Sequence, residues 1–123
     1  MAENLISKVQ GMLKEETWTR TTISNYSQAN LEELKKLIDE AVAAKCTEEL
    51  LAVCDEHLSS SKESIIAMYL SAILTVIKRD IDNSALVNLV DVFQKNHKEP
   101  IVAYICEEVL KIDQSNKFAL RAL

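Results

Sequence analysis

Apolar side chains recur every three to four residues along most of this chain, the spacing of one face of an α-helix. The first predicted helix runs from Asn4 to about Lys14, with Leu5, Ile6, Val9, Met12 and Leu13 on one side. Glu16 to Thr22 is polar and rich in Thr, with a short helix predicted from Thr22 to Tyr26. Asn30 with Glu33 then reads as a capping box, opening a stripe of Leu31, Leu34, Leu37, Ile38, Ala41 and Val42 that ends near Lys45. Thr47 is expected to cap a helix through Leu58 that carries Leu50, Leu51, Val53, Cys54 and Leu58. From about Lys62 to Arg79 the chain is hydrophobic nearly all round, which predicts a helix buried at the centre. Asp82 or Asn83 caps the next helix, to about Gln94 or Lys95. Pro100, tolerated in a first turn, opens another to Ile112. The loop Asp113 to Asn116 leads into a final short one.

These helices repeat. Lys62-Glu63-Ser64-Ile65-Ile66-Ala67 returns as Lys98-Glu99-Pro100-Ile101-Val102-Ala103, 36 residues later. Leu50, Asp55 and Leu74 fall on Leu86, Asp91 and Leu110 at the same offset, and Leu51, Val53 and Ile73 on Val87, Leu89 and Val109. A period in the thirties is the signature of stacked helical hairpins, each burying its apolar face against its neighbours. The expected fold is therefore all-α, an α-solenoid of antiparallel hairpins in one domain. Residues 1–46 supply N-terminal helices, 47–82 and 83–116 two repeats, and 117–123 the truncated start of a further helix.

Composition narrows the function. One glycine and one proline in 123 residues leave little material for strand turns or phosphate-binding loops. A formal net charge of −5, a pI near 5.0 and the lack of any block of Lys or Arg argue against direct nucleic-acid binding. The longest apolar run, Ile65 to Ile77, is about 13 residues between Lys62 and Lys78, too short to span a bilayer. Met1 to Asn4 shows neither the basic nor the apolar region of a signal peptide, and three cysteines make an odd count for a disulfide framework. A cytoplasmic protein is expected.

The segment from Tyr104 to Leu120, with Leu110-Lys111-Ile112-Asp113 ahead of Phe118, resembles the junction between two tetratricopeptide repeats. In that register Leu86, Leu89 and Phe93 take the large apolar positions of the first helix. Val90, Val102 and Gln114 depart from the usual small residues and proline. A second resemblance covers the whole chain. Glu16-Thr17-Trp18-Thr19-Arg20-Thr21-Thr22-Ile23-Ser24-Asn25-Tyr26, Cys54-Asp55-Glu56-His57-Leu58, Ser64-Ile65-Ile66-Ala67-Met68-Tyr69-Leu70-Ser71 and Asn116-Lys117-Phe118-Ala119-Leu120-Arg121-Ala122-Leu123 are similar to the start of the long Gre-type transcription elongation factors of spirochaetes. The resemblance implies an N-terminal helical-repeat piece of a protein that acts on RNA polymerase. Gre factors work through an acidic coiled-coil tip, which this chain lacks, so stimulation of transcript cleavage is expected to be absent from it.

Candidate chemistry is sparse. Cys54 and His57 stand three apart, with Cys46, His97 and Cys106 the only other residues of these types. Neither a four-ligand zinc site nor a nucleophile with an orienting third group is expected from them, and no cofactor is expected. A small helical enzyme using Cys54 and His57 is the rival reading. The tetratricopeptide register instead implies a mildly acidic trough. Glu48, Asp55 and Glu56 would line it from one unit, and Ser84, Asp91, Gln94 and Lys95 from the next, to take a basic protein segment. The plainer reading is an ordinary solvated face. Trp18 and Arg20 are further candidates for a protein contact, since both types are enriched at interface hot spots. Phe118, Ala119, Leu120 and Leu123 form half an apolar face, and exposing such side chains forfeits roughly 1.5–3 kcal/mol each. Either more chain follows, a second copy pairs there, or the tail simply frays, and pairing makes an oligomerisation scaffold the alternative function.

Overall fold

The computed structural model describes residues 2–15, 26–60, 64–79 and 83–122. Every regular element among them is helical: α1 (Ala2–Glu15), α2 (Gln28–Ala44), α3 (Thr47–Ser60), α4 (Ile65–Lys78), α5 (Ser84–Lys95), α6 (Glu99–Ile112) and α7 (Lys117–Ala122). The apolar positions explain each. Leu5, Val9 and Leu13, four apart, are the buried ridge of α1, and Leu31, Leu34, Leu37, Ile38 and Ala41 that of α2. Val42, placed by periodicity in the same stripe, is instead 50% exposed at its edge.

Helix ends depart from expectation in two places. Helix α2 starts a turn earlier than Asn30. Ser27 is the N-cap in extended conformation, and its N–H donates to Asn30 Oδ1 at 2.8 Å. Asn30 is thus the reaching-back residue of the box, and Glu33 pairs with Lys36 at 3.4 Å instead of capping. Thr47 lies inside α3, because the Cys46 carbonyl already accepts the first helical bond, from Leu50 N–H at 3.0 Å. Ser64 caps α4, its Oγ accepting from Ala67 N–H at 3.1 Å. Asn83 precedes α5. Asp82 and the Thr22 to Asn25 part of the expected short helix lie outside the described residues.

Helix α4 is the hub. It packs against α1, α2, α3, α5 and α6, and Ile65, Ala67 to Leu74 and Val76 are all buried, as its all-round hydrophobicity predicts. The 36-residue offset carries α3 onto α5 and α4 onto α6, and buried positions onto buried positions: Leu50 on Leu86, Cys54 on Val90, Ile65 on Ile101, Leu70 on Cys106, Ile73 on Val109. The same step also carries α2 onto α4, with Leu34 on Leu70 and Leu37 on Ile73, all buried. Helices α2, α4 and α6 are therefore corresponding elements, and α4 touches both of the others.

Two long-range ties close the array. Tyr26, just before α2, meets Phe93 of α5 edge-on with ring centroids 6.1 Å apart, and its carbonyl accepts from Lys98 Nζ at 3.4 Å. At the other end Arg79, the left-handed C-cap of α4, reaches the end of α6. It donates to the Ile112 carbonyl at 3.3 Å and pairs with Asp113 at 3.2 Å. Hydrogen bonds from Ser115, with Arg79 alongside, hold the Asp113 carboxyl below the ordinary carboxylate range.

Candidate functional site

Ser71 is the one serine in the apolar run of α4, and its side chain is buried. A buried hydroxyl needs a partner, and Ser71 Oγ donates to Asp55 Oδ1 on α3 at 2.8 Å. That bond fixes the Asp55 carboxylate at the mouth of a cleft between α3, α4 and α5, with a volume of about 560 Å³. Leu51, Leu58, Met68 and Ala85 give the cleft its apolar lining. Ser59, Thr75, Lys78, Ser84 and Asn88 join Asp55 and Ser71 on the polar side. Thr75 Oγ1 donates to the Ser71 carbonyl at 2.6 Å, while Lys78 and Asn88 are exposed.

The residues expected to form one trough are divided. Asp55 and Ser84 share this cleft. Glu56, the next residue round the helix, lines a separate groove of about 350 Å³ with Gln10, Leu13 and Lys14 of α1 and with Val53, His57 and Ser60 of α3. Asp91 pairs with Lys95 at 2.9 Å on the exposed side of α5, and neither they nor Gln94 line the cleft. Glu48 is exposed in the first turn of α3. Trp18 and Arg20 lie outside the described residues, as does Leu123. Phe118 is half-buried and Leu120 is 54% exposed, so the apolar face of α7 is partly open, while Ala119 is buried.

Ser71, Lys78 and Asn88 were not singled out from the sequence. The signal for Ser71 was there: one serine inside a helix that is otherwise apolar all round marks a bonded polar group. Lys78 and Asn88 carry no such mark.

The cysteine chemistry is that of a core. Cys54 is fully buried, and burial, with Asp55 alongside, pushes its thiol up to about 12, so it stays protonated at neutral pH. Burial, with Glu107 nearby, also raises the Cys106 thiol. His57 faces the α1 groove, and among the described residues no three His, Cys, Asp or Glu side chains converge to hold a metal ion. On the α2–α4–α6 side, the Tyr69 hydroxyl is buried with no hydrogen bond of normal geometry. It lies toward Tyr104, whose own hydroxyl donates to Glu108 at 3.3 Å. Burial first, then the nearby Tyr104, Glu108 and Asp39, raises the Tyr69 phenol above its ordinary value.

No protein-family profile matches the chain, and no solved structure matches it. Curated proteins do. Over 118 residues the chain is 37% identical to the transcription elongation factor GreA of Borreliella burgdorferi, a match covering 96% of this chain and 13% of that protein. Over 101 residues it is 44% identical to a putative GreA-associated domains protein of Treponema pallidum, covering 82% of this chain and 15% of that one. Among the described residues, no helix is long and apolar enough to cross a membrane. The chain, an all-helical unit spanning about an eighth of the length of these relatives, is homologous over most of its length to a segment of the long GreA-type proteins of spirochaetes.

Proposed function

We propose that this chain is a non-catalytic protein-docking module, the N-terminal helical-repeat piece of a long Gre-type transcription elongation factor that acts on RNA polymerase in the cytoplasm. The observation that carries the reading is the alignment of 96% of this chain with a segment, 13% of the length, of the Borreliella GreA, at 37% identity. The geometry favours docking over chemistry. The charged groups of the α3–α4–α5 cleft belong to a rigid scaffold around α4, the three cysteines are buried, and Cys54 is held as a thiol. Corresponding helices at a 36-residue step, with α4 touching both α2 and α6, support a tetratricopeptide-like stack of hairpins curled tightly enough for Tyr26 to reach Phe93.

Immobilising the chain and flowing over it core RNA polymerase purified from a spirochaete tests the reading. Saturable binding at micromolar concentration or tighter supports it, and so does a transcript-cleavage assay in which the chain alone gives no stimulation. An absence of binding at those concentrations removes the polymerase as partner. A second reading, a self-associating scaffold, is favoured by Leu120, 54% exposed beside the half-buried Phe118. It requires a molecular mass that rises with concentration in sedimentation, abolished by Leu120→Glu.

A further inference from the structure

The cleft between α3, α4 and α5 holds two opposite charges that do not meet. Lys35, Lys36, Arg79, Lys95 and Lys111 each pair with a carboxylate. Lys78, among the described residues, pairs with none, and the bond to Asp55 comes from the neutral Ser71. Asp55 sits opposite Ser71, and Lys78 follows seven residues later on the same face of α4, about 10 Å further along the axis at the helical rise. From Met68 to Lys78 the cleft is about 15 Å long by the same rise.

These dimensions select the occupant. A helix is a rod roughly 10–12 Å across with its side chains, bulkier per unit length than an extended segment. A polyproline-II segment rises about 3.1 Å per residue with three residues per turn, so side chains at i and i+3 point the same way about 9 Å apart. That separation is close to the axial step of about 10 Å from Ser71, which holds Asp55, to Lys78. Such a segment leaves its backbone groups unpaired. Asn88, one turn past Ser84 on α5, lines the same cleft and offers an amide to such a backbone.

We propose that this cleft seats a short extended segment of a partner protein in which a basic and an acidic residue stand three positions apart, the basic group at Asp55 and the acidic group at Lys78. The proposal rests on the docking-module reading and gives the docked segment its chemistry. Four capped hexapeptides test it, titrated into the isotopically labelled chain and followed by amide chemical shifts. They are Pro-Lys-Pro-Pro-Glu-Pro, its charge-reversed order Pro-Glu-Pro-Pro-Lys-Pro, and the two like-charged forms with Lys or Glu at both positions.

At least one mixed-charge peptide should bind about tenfold more tightly than either like-charged one, shifting Ser71, Lys78 and Asn88. Lys78→Glu, an exposed change whose folding is checked by circular dichroism, should transfer the preference to the two-Lys peptide. Equal binding of all four, shifts centred away from the cleft, or no shifts at millimolar peptide would overturn the proposal. Polymerase binding that survives Lys78→Glu also overturns it, while leaving the docking reading intact. A preference that reverses in the variant although polymerase never binds upholds the cleft assignment and removes only the polymerase.

Discussion

Tyr69 lies at the middle of α4 with its ring fully buried, and its hydroxyl, the one buried side-chain polar atom among the described residues without a hydrogen bond of normal geometry, only approaches Tyr104. Removing that oxygen alone, by Tyr69→Phe, deletes a desolvation penalty and keeps the ring packing. An unpaired buried hydroxyl costs about 1–3 kcal/mol relative to water. The void left by one oxygen returns about a few tenths of a kcal/mol. The approach to Tyr104 recovers part of that cost, so the variant should be more stable by about 1 kcal/mol. For a chain of this length that is a rise in Tm of roughly 3–5 °C. Thermal and urea unfolding followed by circular dichroism measure it, with Tyr104→Phe as the comparison. Tyr104 is only half-buried and bonded to Glu108, so its loss should change stability by no more than about 1 kcal/mol in either direction. A Tyr69→Phe protein less stable than the parent by about 1 kcal/mol would show that the hydroxyl is satisfied in solution, and the reasoning would fail.

Further outcomes follow from the same packing. Lys45 ends α2 in the left-handed region at φ 58°, so Lys45→Gly should stabilise by about 1 kcal/mol. Arg79→Gly, at φ 64°, should not, because it breaks the ties to Ile112 and Asp113; urea midpoints compare the two. Phe93→Ala should cost about 3–5 kcal/mol, since it empties a fully buried site and removes the platform under Tyr26; a loss under about 1 kcal/mol would mean that Tyr26 does not dock there. Cys46, Cys54 and Cys106 should resist thiol reagents until denaturant is added, and fast reaction of Cys54 in the native state would revive the enzyme reading. Burial, with Glu108 nearby, pushes the Tyr104 phenol up to about 12, and Tyr69 is raised too. The folded state thus favours the neutral phenols. Their stabilisation is present below the ordinary phenol value near 10 and is lost as pH rises through the folded values. A titration in which all tyrosine absorbance develops near pH 10 with circular dichroism unchanged would contradict this.

The helical elements and their centre were readable from the sequence because periodicity and all-round hydrophobicity report burial directly. The all-round apolar sequence of α4 alone implies its place at the centre. What escaped was set by tertiary context. Ser27 and Asn30 are equally good capping types, and only the extended backbone at Ser27 decides between them. The correspondence of α2 with α4 carries apolar pairs such as Leu37 and Ile73 without a run of identities, so self-comparison stopped at Thr47.

The trough shows the limit of repeat reasoning most clearly. Asp55 and Asp91 hold the same repeat position, yet the partner of Asp55 is Ser71, and 36 residues beyond Ser71 stands Glu107. A carboxylate cannot donate to a carboxylate. Asp91 turns to Lys95 instead, so α5 presents a different face from α3.

The most direct test of the account uses the long protein itself. In the Borreliella GreA, the segment homologous to this chain is deleted, and the response of purified polymerase from the same organism is titrated against factor concentration. A docking module supplies binding without chemistry. Its deletion should therefore raise the half-maximal concentration by about tenfold or more and leave the maximal effect unchanged. A half-maximal concentration that does not move, or a maximal effect that collapses while binding persists, would contradict the account.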